Sequence, residues 1–128
     1  MVRTEFGKTV AGYTHYRWDQ VKDGNFVHDM KKRAFLLQLD KCEKMAPERD
    51  NRLIYCSSDC GPAFGWNDLL LSDRCNTEPS MADFPCTFNR QGYPYKRDDQ
   101  KSWNAFTGVR SGYKLLIEEY EVYRVDFS

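Results

Sequence analysis

Two short apolar runs, Leu53 to Cys56 and Leu69 to Leu71, bracket Gly61-Pro62 and a second glycine, Gly65. Apolar runs of that length, punctuated by Gly and Pro, read as strands joined through a tight, irregular corner. Such a corner asks Gly61 to take a positive-φ or close-approach position, Pro62 to fix φ, and Phe64 to fill apolar space beneath the turn. The short polar side chains of Asp68, Ser72 and Asp73 are expected to cluster around it and accept turn N–H groups in Asx-type caps.

The flanking sequence extends the strand pattern. Lys8 to Thr14 reads as a strand leaving a hairpin turn near Glu5-Phe6-Gly7, and Arg33 to Asp40 as a second. In the latter, Phe35, Leu37 and Leu39 share one face and Leu36 and Gln38 the other, with burial expected on both. His15 to Lys32, which carries the turn signal Asp23-Gly24-Asn25, reads as a long connection, and Lys41 to Asp50 as a solvent-facing loop or isolated turn. Thr77 to Asn89 is irregular, and Gln91 to Lys101 is a surface loop with exposed aromatics. Gly112 to Phe127 alternates with period two and is expected to be a central strand. Short strands spaced by turns favour a mainly β, two-sheet antiparallel sandwich.

Composition narrows the function classes. The 128 residues suit one domain, and 19 basic against 19 acidic residues leave no field for nucleic acid or an anionic membrane. A mean hydropathy of −0.75 and the absence of any long apolar run argue against a membrane span. Cys42, Cys56, Cys60, Cys75 and Cys86 make an odd number without a secretory signal, which points to reduced thiols in a cytoplasmic or nuclear setting. No C-x-x-C pair is present and neither His15 nor His28 lies near a cysteine, so neither metal nor cofactor is expected. A redox role for Cys56 and Cys60 would need a nearby cation or helix N-terminus; packed thiols are the plainer reading.

Three clusters could carry function. Glu118, Glu119 and Glu121 form the densest acidic run, with Glu119 and Glu121 on one strand face. Paired carboxylates can divide acid and base roles, although exposed glutamates usually face solvent. Tyr93, Tyr95, Trp103 and Trp66 could form an aromatic platform for a sugar ring or a protein hot spot. The adjacent Lys96-Arg97 and Asp98-Asp99 balance each other and make a poor phosphate site. There is no G-x-S-x-G elbow for a serine nucleophile, so no catalytic residue is nominated.

The central block also resembles the TLDc domain, a eukaryotic module of oxidation-resistance and vacuolar-ATPase-associated proteins. Ile54, Tyr55, Cys56, Gly61, Pro62, Phe64, Gly65, Asp68, Ser72, Asp73, Cys75 and Asn76 stand in the family's order. Gly12-Tyr13-Thr14, Trp18, Asp29, Ala34-Phe35-Leu36, Phe106, Gly108 and Glu121-Val122 extend the likeness along nearly the whole chain. Trp66-Asn67-Asp68 departs from it, being one residue shorter and lacking the family's histidine. The likeness implies a β-sandwich with short peripheral helices, spanning 1–128 and truncated at its N-terminal side relative to the family. It further implies a non-enzymatic protein-interaction role in oxidative-stress protection, with binding or regulation of the vacuolar proton-pumping ATPase at an organelle surface. Glu121 matches the glutamate of the family's last strand and is the leading functional candidate. Two other readings stand beside it: a structural accessory subunit of a larger eukaryotic assembly, and a glycan- or small-ligand-binding sandwich.

Overall fold

A computed structural model describes residues 1–16, 18, 24–28, 30–48 and 52–125. Asp23, Asp29, Asp50 and Phe127, which figured in the sequence readings, lie outside these. The chain forms two antiparallel six-stranded sheets that enclose one apolar core. One sheet contains β1 (Val2–Thr4), β2 (Thr9–Tyr13), β4 (Phe35–Gln38), β5 (Glu43–Pro47), β10 (Phe88–Arg90) and β12 (Ile117–Tyr120), in the order β10-β5-β4-β2-β1-β12. The other contains β3 (Asn25–His28), β6 (Arg52–Cys56), β7 (Ala63–Phe64), β8 (Leu69–Leu70), β9 (Ser80–Met81) and β11 (Lys114–Leu115), in the order β11-β9-β8-β7-β6-β3. A single helix among the described residues, α1 (Gln100–Thr107), starts at the N-cap Asp99 and stops at Gly108, whose φ of 83° closes the last turn.

The expected hairpin near Gly7 is present. Thr4 and Lys8 close it through a 2.8 Å backbone bond, and Gly7 sits at φ 75°. In β4 the faces separate more sharply than the sequence suggested. Leu36 and Gln38 are fully buried, while Phe35 and Leu37 are only half-covered and Leu39 is exposed. Phe35 is shielded from above by Tyr13, stacked at 5.0 Å, and by the Lys44 ammonium 4.4 Å over the ring. Gln38 tolerates its burial because its amide donates to the Phe106 carbonyl and its oxygen accepts from Lys41 N–H.

Three expectations are corrected. The polar connection 15–32 contains β3, which pairs with β6 and buries Val27. The charged loop 41–50 contains β5, an interior strand between β4 and β10 that turns Met45 inward. Each strand owes its place to a single fully or largely buried apolar residue, too little for a visible alternation. The last segment is not one central strand. It runs along β11 at the edge of one sheet, crosses at Leu116 and continues as β12 at the edge of the other. A register shift opposite Arg3 and Thr4 breaks the alternation, and residues 121–125 are exposed and outside any strand.

The sheets pack tightly together at Gly12 in β2. A Cβ there would lie 2.4 Å from ring carbons of Phe64 in β7, and Trp18 holds that ring edge-on at 5.5 Å. Phe64 therefore fills the interior as expected, and it can do so only over a residue without a side chain. Gly12→Ala is expected to destabilise the fold by about 1–3 kcal/mol, the cost of forcing carbon into a packed interior. Phe64→Leu in the same chain should recover part of the loss. Urea denaturation of the single and double variants measures both, and strictly additive effects would show that the two residues do not meet.

Candidate functional site

The Gly61-Pro62 corner is built from backbone pairing. Gly61 N–H donates to the Leu71 carbonyl at 2.8 Å, and Leu71 N–H returns to Pro62 at 3.0 Å. Of the two roles foreseen for Gly61, close approach is the one it fills, since an added Cβ would lie 3.3 Å from the Leu71 oxygen. Positive φ falls instead to Gly65, at 64°. A side chain there would also strike Asp68, 2.2 Å from its Oδ1.

Asp68, Ser72 and Asp73 do not converge on this corner. The Asp68 carboxylate is fully buried and accepts N–H groups of Cys86 at 2.8 Å, Thr87 at 2.9 Å and Phe88 at 2.9 Å. Ser72 instead donates to the Glu78 carbonyl at 2.9 Å and accepts nothing from the corner in this bond. Asp73 and Asn76 line a groove beside β12. Burial pushes the Asp68 carboxyl from 3.8 up to about 7, against the opposing pull of its backbone donors.

The thiols are distributed without a reactive centre among the described residues. Cys56 and Cys75 are buried, Cys60 and Cys86 half-buried, and Cys42 exposed. Burial raises Cys56 and Cys75, and burial together with the Asp68 and Asp83 charges pushes Cys86 up to about 11. Cys56 and Cys60 share an open groove of about 370 Å³ with Trp18, Tyr55 and Pro62. Burial of Cys56 and its raised pKa favour the thiol over the thiolate.

The aromatic candidates are not gathered into one platform. Tyr93 is 77% exposed. Tyr95 packs edge-on against the buried Phe84 at 5.5 Å, and Trp103 packs on Tyr113 while its indole donates to Asp83 at 3.1 Å. Trp66 stacks on Phe26 at 5.2 Å, with the Arg52 guanidinium 4.8 Å from its ring. Sequence reasoning missed a polar triad around Tyr95. Its hydroxyl donates to Glu43 at 2.6 Å, and Arg90 bonds the other Glu43 oxygen at 2.9 Å. Burial and the Glu43 carboxylate push Tyr95 up to about 12. Glu43 stays below its usual range because these two partners outweigh its own burial. The three residues lie on β5, on β10 and in the loop that follows it, so no local pattern signalled them.

The acidic run also brings expected residues together at an open surface. A groove of about 610 Å³ brings Asp73 and Asn76 beside Glu118, Glu119 and Glu121. Glu119 and Glu121 share a face, as their spacing implied, because Glu119 pairs with Arg3 and Glu121 exchanges backbone bonds with Met1 at 2.8 Å in each direction. Glu118 forms an exposed ion pair with Arg3 at 3.7 Å, and the Tyr123 hydroxyl donates to Glu121. Glu121 stands exposed at a sheet edge.

The chain matches no family model, no curated protein and no solved structure. Among the described residues, no helix is long and apolar enough to cross a membrane.

Asp68 generates a pH signature. The folded chain keeps a proton on this carboxyl where the unfolded chain, titrating near 3.8, has lost it. Its contribution is full below the unfolded value and is lost as pH rises through about 7. Stability is expected to fall from about pH 4 to about pH 7 and to level off above, and Asp68→Asn should remove that part of the slope. An asparagine amide offers a single acceptor oxygen to three donors, so the variant should also lose about 1–3 kcal/mol throughout. Denaturation midpoints across this range test it; parallel profiles for the two chains would refute the assignment.

Proposed function

We propose that this chain is a non-enzymatic protein-interaction module of the TLDc type. Its expected setting is oxidative-stress protection, with binding or regulation of the vacuolar proton-pumping ATPase. The observation that carries the interaction reading is the contrast between interior and edge. Inside, Asp68 is spent on backbone N–H groups and the raised thiols pack against neighbours. At the surface, Asp73, Glu118, Glu119 and Glu121 collect beside the last strand of a sheet, next to Tyr120 at 60% exposure and Val122 at 73%. Charged and aromatic groups placed together on an exposed edge suit recognition of another chain. The ordered motif from Ile54 to Asn76, folded into a sandwich, supports the family assignment.

A pull-down with the tagged chain from a eukaryotic lysate under reducing conditions, read by mass spectrometry, tests this reading. Peripheral subunits of the vacuolar ATPase should be enriched, and Glu121→Ala should cut their recovery by about fivefold or more, as for an interface anchor. The variant should melt like the parent because Glu121 is exposed. Recovery of a different assembly with no ATPase subunit would favour the accessory-subunit reading instead.

A further inference from the structure

The outer edge of β12 has the construction of a strand-addition site. Met1 and Glu121 exchange both backbone bonds, which makes them a hydrogen-bonded pair of the antiparallel ladder. The next pair, Val2 and Tyr120, is then the non-bonded kind, so Val2 directs its N–H and C=O toward β2 and Tyr120 directs its own away from the sheet. Among the described residues β12 is the terminal strand of its sheet. At Ile117 the edge is already occupied, since its N–H donates to the Cys75 carbonyl at 2.8 Å. The open stretch begins at Glu118.

Charge decides what can pair there. The residues lining the groove beside this edge include the carboxylates of Asp73, Glu118, Glu119 and Glu121 and no cation. Arg3 offsets Glu118 from the neighbouring strand, the Met1 ammonium lies beside Glu121, and Arg74, next to Asp73 in the chain, is exposed, which leaves the carboxylates in excess. A second copy of the chain, adding antiparallel through the same edge about Tyr120, would set Glu119 of each copy opposite Glu121 of the other. Like charges directly opposite across a strand pair are destabilising, and charged side chains on an edge are a bar to self-pairing. A strand carrying lysine or arginine meets the opposite condition. It would gain main-chain bonds from Tyr120, ion pairs from the groove, and apolar contact with the exposed Tyr120 and Val122.

We infer that the β12 edge binds an extended, basic segment of a partner protein as an added strand of the sheet. This rests on the reading of the chain as an interaction module and specifies the chemistry of its partner. Main-chain pairing supplies the register, and the carboxylates select the charge.

The test uses the whole chain and two capped peptides of about seven residues, enough to span a strand edge of this length. One alternates lysine with threonine, and the other alternates glutamate with threonine. In amide NMR titrations the lysine peptide should shift resonances from Glu118 to Val122, with an affinity at least about tenfold above that of the glutamate peptide. Raising salt to about 0.5 M should weaken it strongly, since the carboxylates are exposed. Tyr120→Pro removes the outward N–H while leaving the bonds of Glu119 and Glu121 to β1, and should abolish the shifts. Should that variant lose its cooperative melt, Glu119→Lys with Glu121→Lys takes its place and should reverse the peptide preference.

Equal binding of the two peptides, shifts confined to another surface, or a dimer formed through this edge in sedimentation would each overturn the inference. Lysate partners retained equally by the parent and by a folded Tyr120→Pro chain would refute the edge site while leaving the interaction module standing. Peptide binding as described, with no partner retained from lysate, would keep the edge site and count against the module reading.

Discussion

One buried carboxylate ties the two sheets together. Asp68 lies in the turn between β7 and β8, in one sheet, and its oxygens accept the N–H groups of residues 86–88, which lead into β10 at the edge of the other. Each such hydrogen bond contributes about 0.5–1.5 kcal/mol, and a buried donor left without an acceptor costs about 1–3 kcal/mol. The surrounding sequence serves this contact. Gly65 leaves room for Oδ1 and supplies the left-handed turn, while Trp66 N–H bonds the Thr87 hydroxyl at 3.2 Å. Phe88, at the end of the bound segment, and Phe84, two residues before its start, are fully buried. The strap thus fixes where two of the largest core side chains enter the interior.

The second constraint is shape. Phe64 can reach across the core only because Gly12 has no side chain, and Trp18 closes the space beside it. Asp68 and Phe64 lie four residues apart on the same hairpin, so polar tethering and apolar filling act on one short piece of backbone. That proximity explains why a block of Gly, Pro, Phe and Asp carries more structural information than its length suggests.

Where the apolar pattern was dense, the sequence was legible. β2, β4, β6 and β8 fall where runs of apolar or β-branched residues placed them. β3 and β5 were hidden because Val27 and Met45 are their main inward residues, and the rest of each strand faces solvent or a neighbouring ring. α1 carried its signals openly in Asp99 and Gly108, but the preceding Pro94 and mixed-charge run made Gln91 to Lys101, which includes its first two residues, read as loop. The last segment failed for another reason. Alternation says that a strand forms, and says nothing about whether it has neighbours on one side or two. The partners of Asp68, 18 to 20 residues away in an irregular stretch, were beyond any local rule.

The position of the acidic edge follows from the crossing of the chain between sheets. Leu115 and Ile117 are both buried, each in a different sheet, so the two residues anchor the crossover on either side of Leu116. Leu116 N–H is held by the Glu5 carboxylate at 3.0 Å, from the turn after β1. Once Ile117 is fixed, the residues that follow run out along β1, with no strand beyond them among the described residues. Glutamates at that place satisfy two demands at once. They keep an unpaired backbone edge soluble, and they give it a sign. A lysine-rich edge would protect the monomer equally well, so solubility alone does not determine the choice of charge. The choice of glutamate restricts which strands can add there, and the edge acquires selectivity from the same side chains that prevent its self-association.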